Sequence, residues 1–113
     1  MFDARLSTQV WVDALLRRVQ VAGASVFVLQ RGDESRGDVL IKVTDLKGAA
    51  QVYTPRLTME GERVFANLEA QSIGPDEASA DAYLRRAKER DRDLWVVEIE
   101  DPEMRHFLTE RVE

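Results

Sequence analysis

The chain has no cysteine and only one histidine, His106. Disulfides, thiolate nucleophiles and cysteine-based zinc sites are therefore excluded. A metal site would have to rest on carboxylates, which suit Mg²⁺ or Ca²⁺ better than zinc. Aromatic residues are sparse, at 7%. Trp11, Phe27 and Trp95 all lie in apolar patterns, so they are expected in the core rather than on a base-stacking platform. No apolar run approaches the ~20 residues needed to cross a bilayer. The opening Met1-Phe2-Asp3-Ala4-Arg5 is polar and lacks the apolar core of a signal peptide. A cytosolic address with no membrane contact is the expectation. Positive charge is also in deficit: the net charge is −5 and the pI near 5.0. Nucleic acid is then not an expected partner, because little counterion release is available to drive binding.

What is present suffices for a core. Hydrophobic residues make up 44% of the 113 residues, and charged residues 33%. That combination predicts one domain, 1–113, with one core and a charged surface.

Ser7 and Thr8 are helix-capping residues, and Trp11, Leu15, Arg18, Val19 and Ala22 recur at helical spacing. A helix is expected from about Thr8 to Ala22, closed by Gly23. Ser25 to Arg31 reads as a buried strand, and Val39 to Thr44 as its antiparallel hairpin partner across a polar loop. In the second strand Val39, Ile41 and Val43 share one face; Leu40, Lys42 and Thr44 share the other. Ala49 to Thr54 is a third strand, stopped by Pro55, which has no N–H for a ladder. Arg63 to Leu68 is a candidate fourth strand. Gly74-Pro75-Asp76 opens a second helix, with the proline in its first turn, running to about Asp91. Leu94 to Glu100 is the last strand, ended by Asp101-Pro102. The tail from Met104 carries His106, Phe107 and Leu108 as anchors. The fold class expected is α+β, in the order α-β-β-β-(β)-α-β. It comprises a largely antiparallel sheet of four to five strands packed by two helices.

No complete catalytic, metal or nucleotide motif occurs, and no cofactor is expected. Glu98 and Glu100 share one strand face, roughly 6–7 Å apart by strand rise, with Asp101 next. They could converge on a cation, but a strand running out into solvent accounts for them more simply. Arg17-Arg18 and Arg85-Arg86 suit phosphate or carboxylate recognition; on helix flanks beside acidic residues they read as solvated faces. His106 lacks the oriented partner a general base needs. Gly32, Gly37 and Gly48 sit between strands rather than between a strand and a helix. They read as turn glycines and not as a phosphate cradle.

Three segments carry a resemblance. They are Val10-Trp11-Val12-Asp13-Ala14-Leu15-Leu16-Arg17-Arg18, Gly37-Asp38-Val39-Leu40-Ile41-Lys42-Val43, and Asp93 to Asp101 with Arg105-His106-Phe107-Leu108. Together they resemble a family of small alphaproteobacterial proteins of unknown function. The resemblance implies a bacterial cytosolic origin and carries no activity. It also directs attention to Arg17, Arg18, Glu98, Glu100, Asp101, Arg105 and His106 as one candidate surface.

Two function classes follow. The first is a non-catalytic interaction or ligand-binding module, either self-associating or docking another protein, since a core is complete while chemistry-bearing constellations are absent. The second is a divergent metal-dependent nuclease, because the element order resembles the restriction-endonuclease-like core. Asp38 fits that pattern. Gln51-Val52-Tyr53 stands where the pattern has Glu-x-Lys, and Lys42 lies on the second strand instead.

Overall fold

The computed structural model describes residues 7–71 and 75–113. Gly74, expected to open the second helix, lies outside them. Two helices and a five-stranded, mostly antiparallel sheet form an α+β fold. The elements are α1 (Thr8–Val21), β1 (Ser25–Gln30), β2 (Val39–Thr44), β3 (Ala50–Leu57), β4 (Arg63–Asn67), a 3₁₀ turn (Leu68–Gln71), α2 (Glu77–Arg90) and β5 (Trp95–Glu100). The candidate fourth strand is real.

Both helices begin as their caps dictate. The Ser7 hydroxyl accepts the Val10 N–H, and the Asp76 carboxylate accepts the Ser79 N–H. Each cap satisfies a donor the first turn leaves free. Pro75 precedes the cap and is not in the first turn. It still contributes, because its carbonyl accepts the Ala50 N–H and ties the start of α2 to β3.

The sheet order is β1-β5-β2-β3-β4. The expected β1–β2 hairpin does not form. β5 lies between the two strands, antiparallel to β1 and parallel to β2. The loop from 31 to 38 is long enough to pass over the start of β5. Gly32 and Gly37 press on the Asp93 backbone so closely that neither has room for a Cβ. They are therefore close-approach glycines rather than turn glycines; Gly48, at φ +104°, is the turn glycine. The loop is tied at both sides, by Asp33 N–H to the Asp93 carbonyl and by Trp95 Nε1–H to the Asp33 carbonyl.

Pro55 does not stop β3, which continues to Leu57. The ladder with β2 ends at Ile41–Tyr53, before the proline. On the β4 side Pro55 faces Phe65, whose N–H and carbonyl bond away from β3. Neither neighbour asks for the missing N–H.

One helix covers each face. Trp11, Val12, Leu15 and Val19 of α1 pack on Ile41, Val43, Phe65, Trp95, Val97 and Ile99. Ala80, Leu84 and Ala87 of α2 pack on Leu40, Ala50, Val52 and Val96. The tail also lies on the α1 face, where Met104, Phe107, Leu108 and Val112 pack. Burial on both sides explains the continuous apolar runs of β2 and β5.

Candidate functional site

β1 was expected to be buried, and Phe27 to join the core. β1 is instead an edge strand whose side chains alternate between half-buried and exposed. Val26 and Val28 face α1, while Phe27 and Leu29 are 49% and 45% exposed on the α2 side. The helix α2 covers β2 and β3 but stops short of β1. Between them lies a groove of about 390 Å³ lined by Leu29, Asp81, Leu84, Arg85, Lys88 and Glu89.

The backbone of β1 is equally open. The N–H groups of Trp95 and Asp101 both point from β5 to β2, bonding Asp38 and Thr44 carbonyls at 2.8 and 3.0 Å. Strand alternation turns Val96, Glu98 and Glu100 the other way, towards Gln30, Phe27 and Ser25. The N–H and carbonyl of Val26 and Val28 are left facing outwards. β5 is the one described strand paired with β1, and by this alternation it does not bond them. A bulge at Leu29, where the register slips between Val28 and Gln30, is the one irregularity. Edge strands are commonly guarded by bulges, lysine, proline or inward charge. β1 has the bulge, but Ser-Val-Phe-Val-Leu-Gln carries no lysine, proline or charge.

Inboard of this edge sits an ion cluster that sequence reasoning passed over. Lys42 is only 3% exposed. Its Nζ donates to Glu77 at 3.0 Å and Asp81 at 2.8 Å on α2, and pairs with Glu98 on β5 at 2.9 Å. Burial alone would lower the Lys42 pKa; the three carboxylates outweigh it and hold the ammonium well above its usual range. All three of its protons are thus engaged, and it stays charged. A lysine nucleophile needs the reverse, a lowered pKa and a free lone pair. The cluster therefore clamps α2 to the sheet. Hydrogen bonds from Lys42 and then Thr44 hold Glu77 below its ordinary value. The neighbouring Glu98 carboxylate pushes Glu100 above its ordinary value. The sequence signal was available: a lone lysine in Val-Leu-Ile-Lys-Val-Thr must find counter-charge once the strand is central.

The residues expected to form one surface divide between two faces. Glu98 and Glu100 lie beneath α2, on a central strand rather than one running out into solvent. Arg18 lies on the α1 face and donates from Nε to the Phe107 carbonyl at 3.0 Å, which anchors the tail. Arg17 is exposed on the outer side of α1. Asp101 is 2% exposed and takes Arg105 through Nε, Nη2 and the backbone N–H. The Arg105 guanidinium holds its carboxyl below the usual range. His106 stands edge-on to Tyr53 at 5.1 Å, and its Nδ1 accepts the Leu108 N–H. Burial pushes His106 below its ordinary value. These contacts fold the tail down and assemble no nucleophile beside the imidazole.

Asp38 is exposed at the far end of β2, in a small cleft with Tyr83, Arg90 and Asp91. Lys42 and Glu98 sit four residues further along, about 13 Å by strand rise. Asp38 and Glu98 do not converge. Among the described residues no group of three or more potential ligands is placed to hold a metal ion. No described helix is long and apolar enough to cross a membrane.

An α+β sheet with a helix on each face, a clamped ion cluster and one edge that no described residue covers defines the class. The particular family follows from comparison. A family described as "Protein of unknown function (DUF1491)" matches residues 6–109, and the chain belongs to it. The crystal structure of a DUF1491 family protein from Caulobacter crescentus CB15 is 43% identical, with a TM-score of 0.88. The match covers 96% of this chain and 99% of that one. An NMR structure of a DUF1491 family protein from the same organism is also 43% identical, with a TM-score of 0.85 over 96% of both chains. The solution structure of protein Atu0922 from A. tumefaciens is 30% identical, with a TM-score of 0.75 over 96% of this chain and 97% of that one. No functionally curated protein matches the chain. The resemblance to alphaproteobacterial proteins of unknown function is thus upheld.

Proposed function

We propose that this protein is a non-catalytic interaction module of the bacterial cytoplasm, which docks an extended segment of protein along β1. The observation that carries the reading is the uncovered edge. The backbone of Val26 and Val28 faces away from β5 at the edge of the sheet, and Phe27 and Leu29 stand exposed beside it. An added strand would gain main-chain hydrogen bonds from the edge and side-chain contacts from the groove. The engaged state of Lys42 and the separation of Asp38 from Glu98 favour this reading over a metal-dependent nuclease.

The test is an NMR titration of dilute, ¹⁵N-labelled protein with short extended peptides of alternating apolar and polar residues. Shifts confined to the β1 and β5 amides, and lost in Phe27→Lys, are expected. No shift at Val26 or Val28 with any peptide would end the reading. Mg²⁺-dependent DNA cleavage that Asp38→Ala abolishes would replace it with the nuclease.

A further inference from the structure

Resting on that reading, we infer that the segment docked on β1 is β1 of a second copy of this chain. The two strands would run antiparallel about a two-fold axis, joining two five-stranded sheets into one. Three features of the page point to a copy rather than to an unrelated strand.

The first is that β1 is neutral along its whole length, Ser25 to Gln30. A strand laid antiparallel against its own twin therefore sets no like charges opposite each other, the usual obstacle to self-pairing. The second is that the apolar side chains are central. Phe27 and Leu29 lie on one face of the strand, so the two-fold brings both pairs together in one continuous patch.

The third is the polarity of the flanking groove. Beside the Ser25 end lie Glu98 and Glu100, cross-strand partners of Phe27 and Ser25. Glu77 and Asp81 stand over them on α2, and Lys42 is the cation within bonding distance of this group. Beside the Leu29 end, the groove is lined by Arg85 and Lys88 together with Asp81 and Glu89. Carboxylates thus dominate one end, and the two basic side chains of the groove stand towards the other. A parallel neighbour would set the carboxylate-rich ends together. An antiparallel copy sets the carboxylate-rich end of each chain beside Arg85 and Lys88 of the other, so charge complementarity selects the two-fold arrangement.

The experiment is sedimentation equilibrium of the full chain between about 10 μM and about 1 mM, with β1 amides followed by NMR over the same range. The expected result is a reversible dimer of twice 12.9 kDa, with concentration-dependent shifts centred on Val26 and Val28. Phe27→Lys sets two ammonium groups at the axis and should weaken association by at least about tenfold. Arg85→Glu with Lys88→Glu leaves β1 untouched, makes both ends acidic and should also weaken it by about tenfold. Circular dichroism verifies that both variants are folded. A wild type that stays monomeric at about 1 mM overturns the inference; so does a dimer that Phe27→Lys leaves intact. If the monomeric protein still binds extended peptides at β1, the docking reading stands with another partner. If it binds none, both fall.

Discussion

The two outer strands of this sheet make an instructive pair. At β4 the tail supplies what the edge lacks. Phe65 N–H bonds the Arg111 carbonyl at 2.9 Å, and Glu113 N–H returns to the Phe65 carbonyl at 2.7 Å. Asn67 N–H bonds the Glu113 carbonyl at 3.0 Å, and Arg56 of β3 pairs with the Glu113 side chain. Phe65 itself is buried and stacks on Trp11 at 5.6 Å. At β1 the same kinds of backbone group face outwards without such cover from any described residue, and the aromatic residue is half exposed. Unpaired strand edges attract other strands, and proteins that do not use them close them. Among the described residues one edge is closed while the other is neutral, apolar and open, and that is the contrast behind the proposed function.

The contrast can be broken at several points. Phe65→Ala should cost the most, about 3–5 kcal/mol, because a fully buried ring leaves both a cavity and an unstacked Trp11. Urea unfolding measures it, and a loss below about 1 kcal/mol would mean that the closed edge is not a packed one. Lys42→Met should cost about 3 kcal/mol, since Glu77, Asp81 and Glu98 would face one another without their shared cation. Hydrogen exchange should then rise in α2 and leave α1 slow; equal loosening of both helices would refute the clamp.

Ending the chain before Glu110 opens the second edge. The expected loss is about 2 kcal/mol of hydrogen bonding, with concentration-dependent aggregation in gel filtration. His106 tests the same tail by titration. Its folded pKa is lowered from 6.5 by burial, so the unfolded chain binds the proton more readily. Its contribution is present above pH 6.5 and is lost as pH falls through the lower folded value. The urea midpoint should decline over that window in wild type and less so in His106→Phe, above the range where carboxylates titrate. The smallest effect belongs to the bare edge. Phe27→Ala should change the stability of the isolated chain by less than about 1 kcal/mol, while its effect on association is large.

Local features were legible in the chain. Ser7-Thr8 marked the start of α1, Gly74-Pro75-Asp76 placed that of α2 to within a turn, and helical spacing separated the buried side of α1 from its exposed side. Alternation in Val39 to Thr44 separated the two faces of β2; which helix covers each face came from the structure. The candidate site was less legible. Lys42 could be read as anomalous in an apolar strand, but Glu77 and Asp81 lie 35 and 39 residues away, and nothing local joins them to it. Pro55 misled because a proline is tolerated where neither neighbour bonds, a condition set by ladder length and by the tail.

Composition, helix periodicity and capping chemistry are short-range properties, and the sequence by itself determined them: no thiol chemistry, two half-apolar helices, four strands with a candidate fifth, a net acidic charge. Strand order was decided only in three dimensions. Ser25–Gln30 and Trp95–Glu100 are both apolar enough for a centre, and an eight-residue loop can either close a hairpin or pass over a strand. Inserting β5 buries Trp95, Val96, Val97 and Ile99 on both faces at once, and that placement left β1 outside. The open edge is thus a consequence of which strand gained most from burial, a comparison made between segments some 65 residues apart.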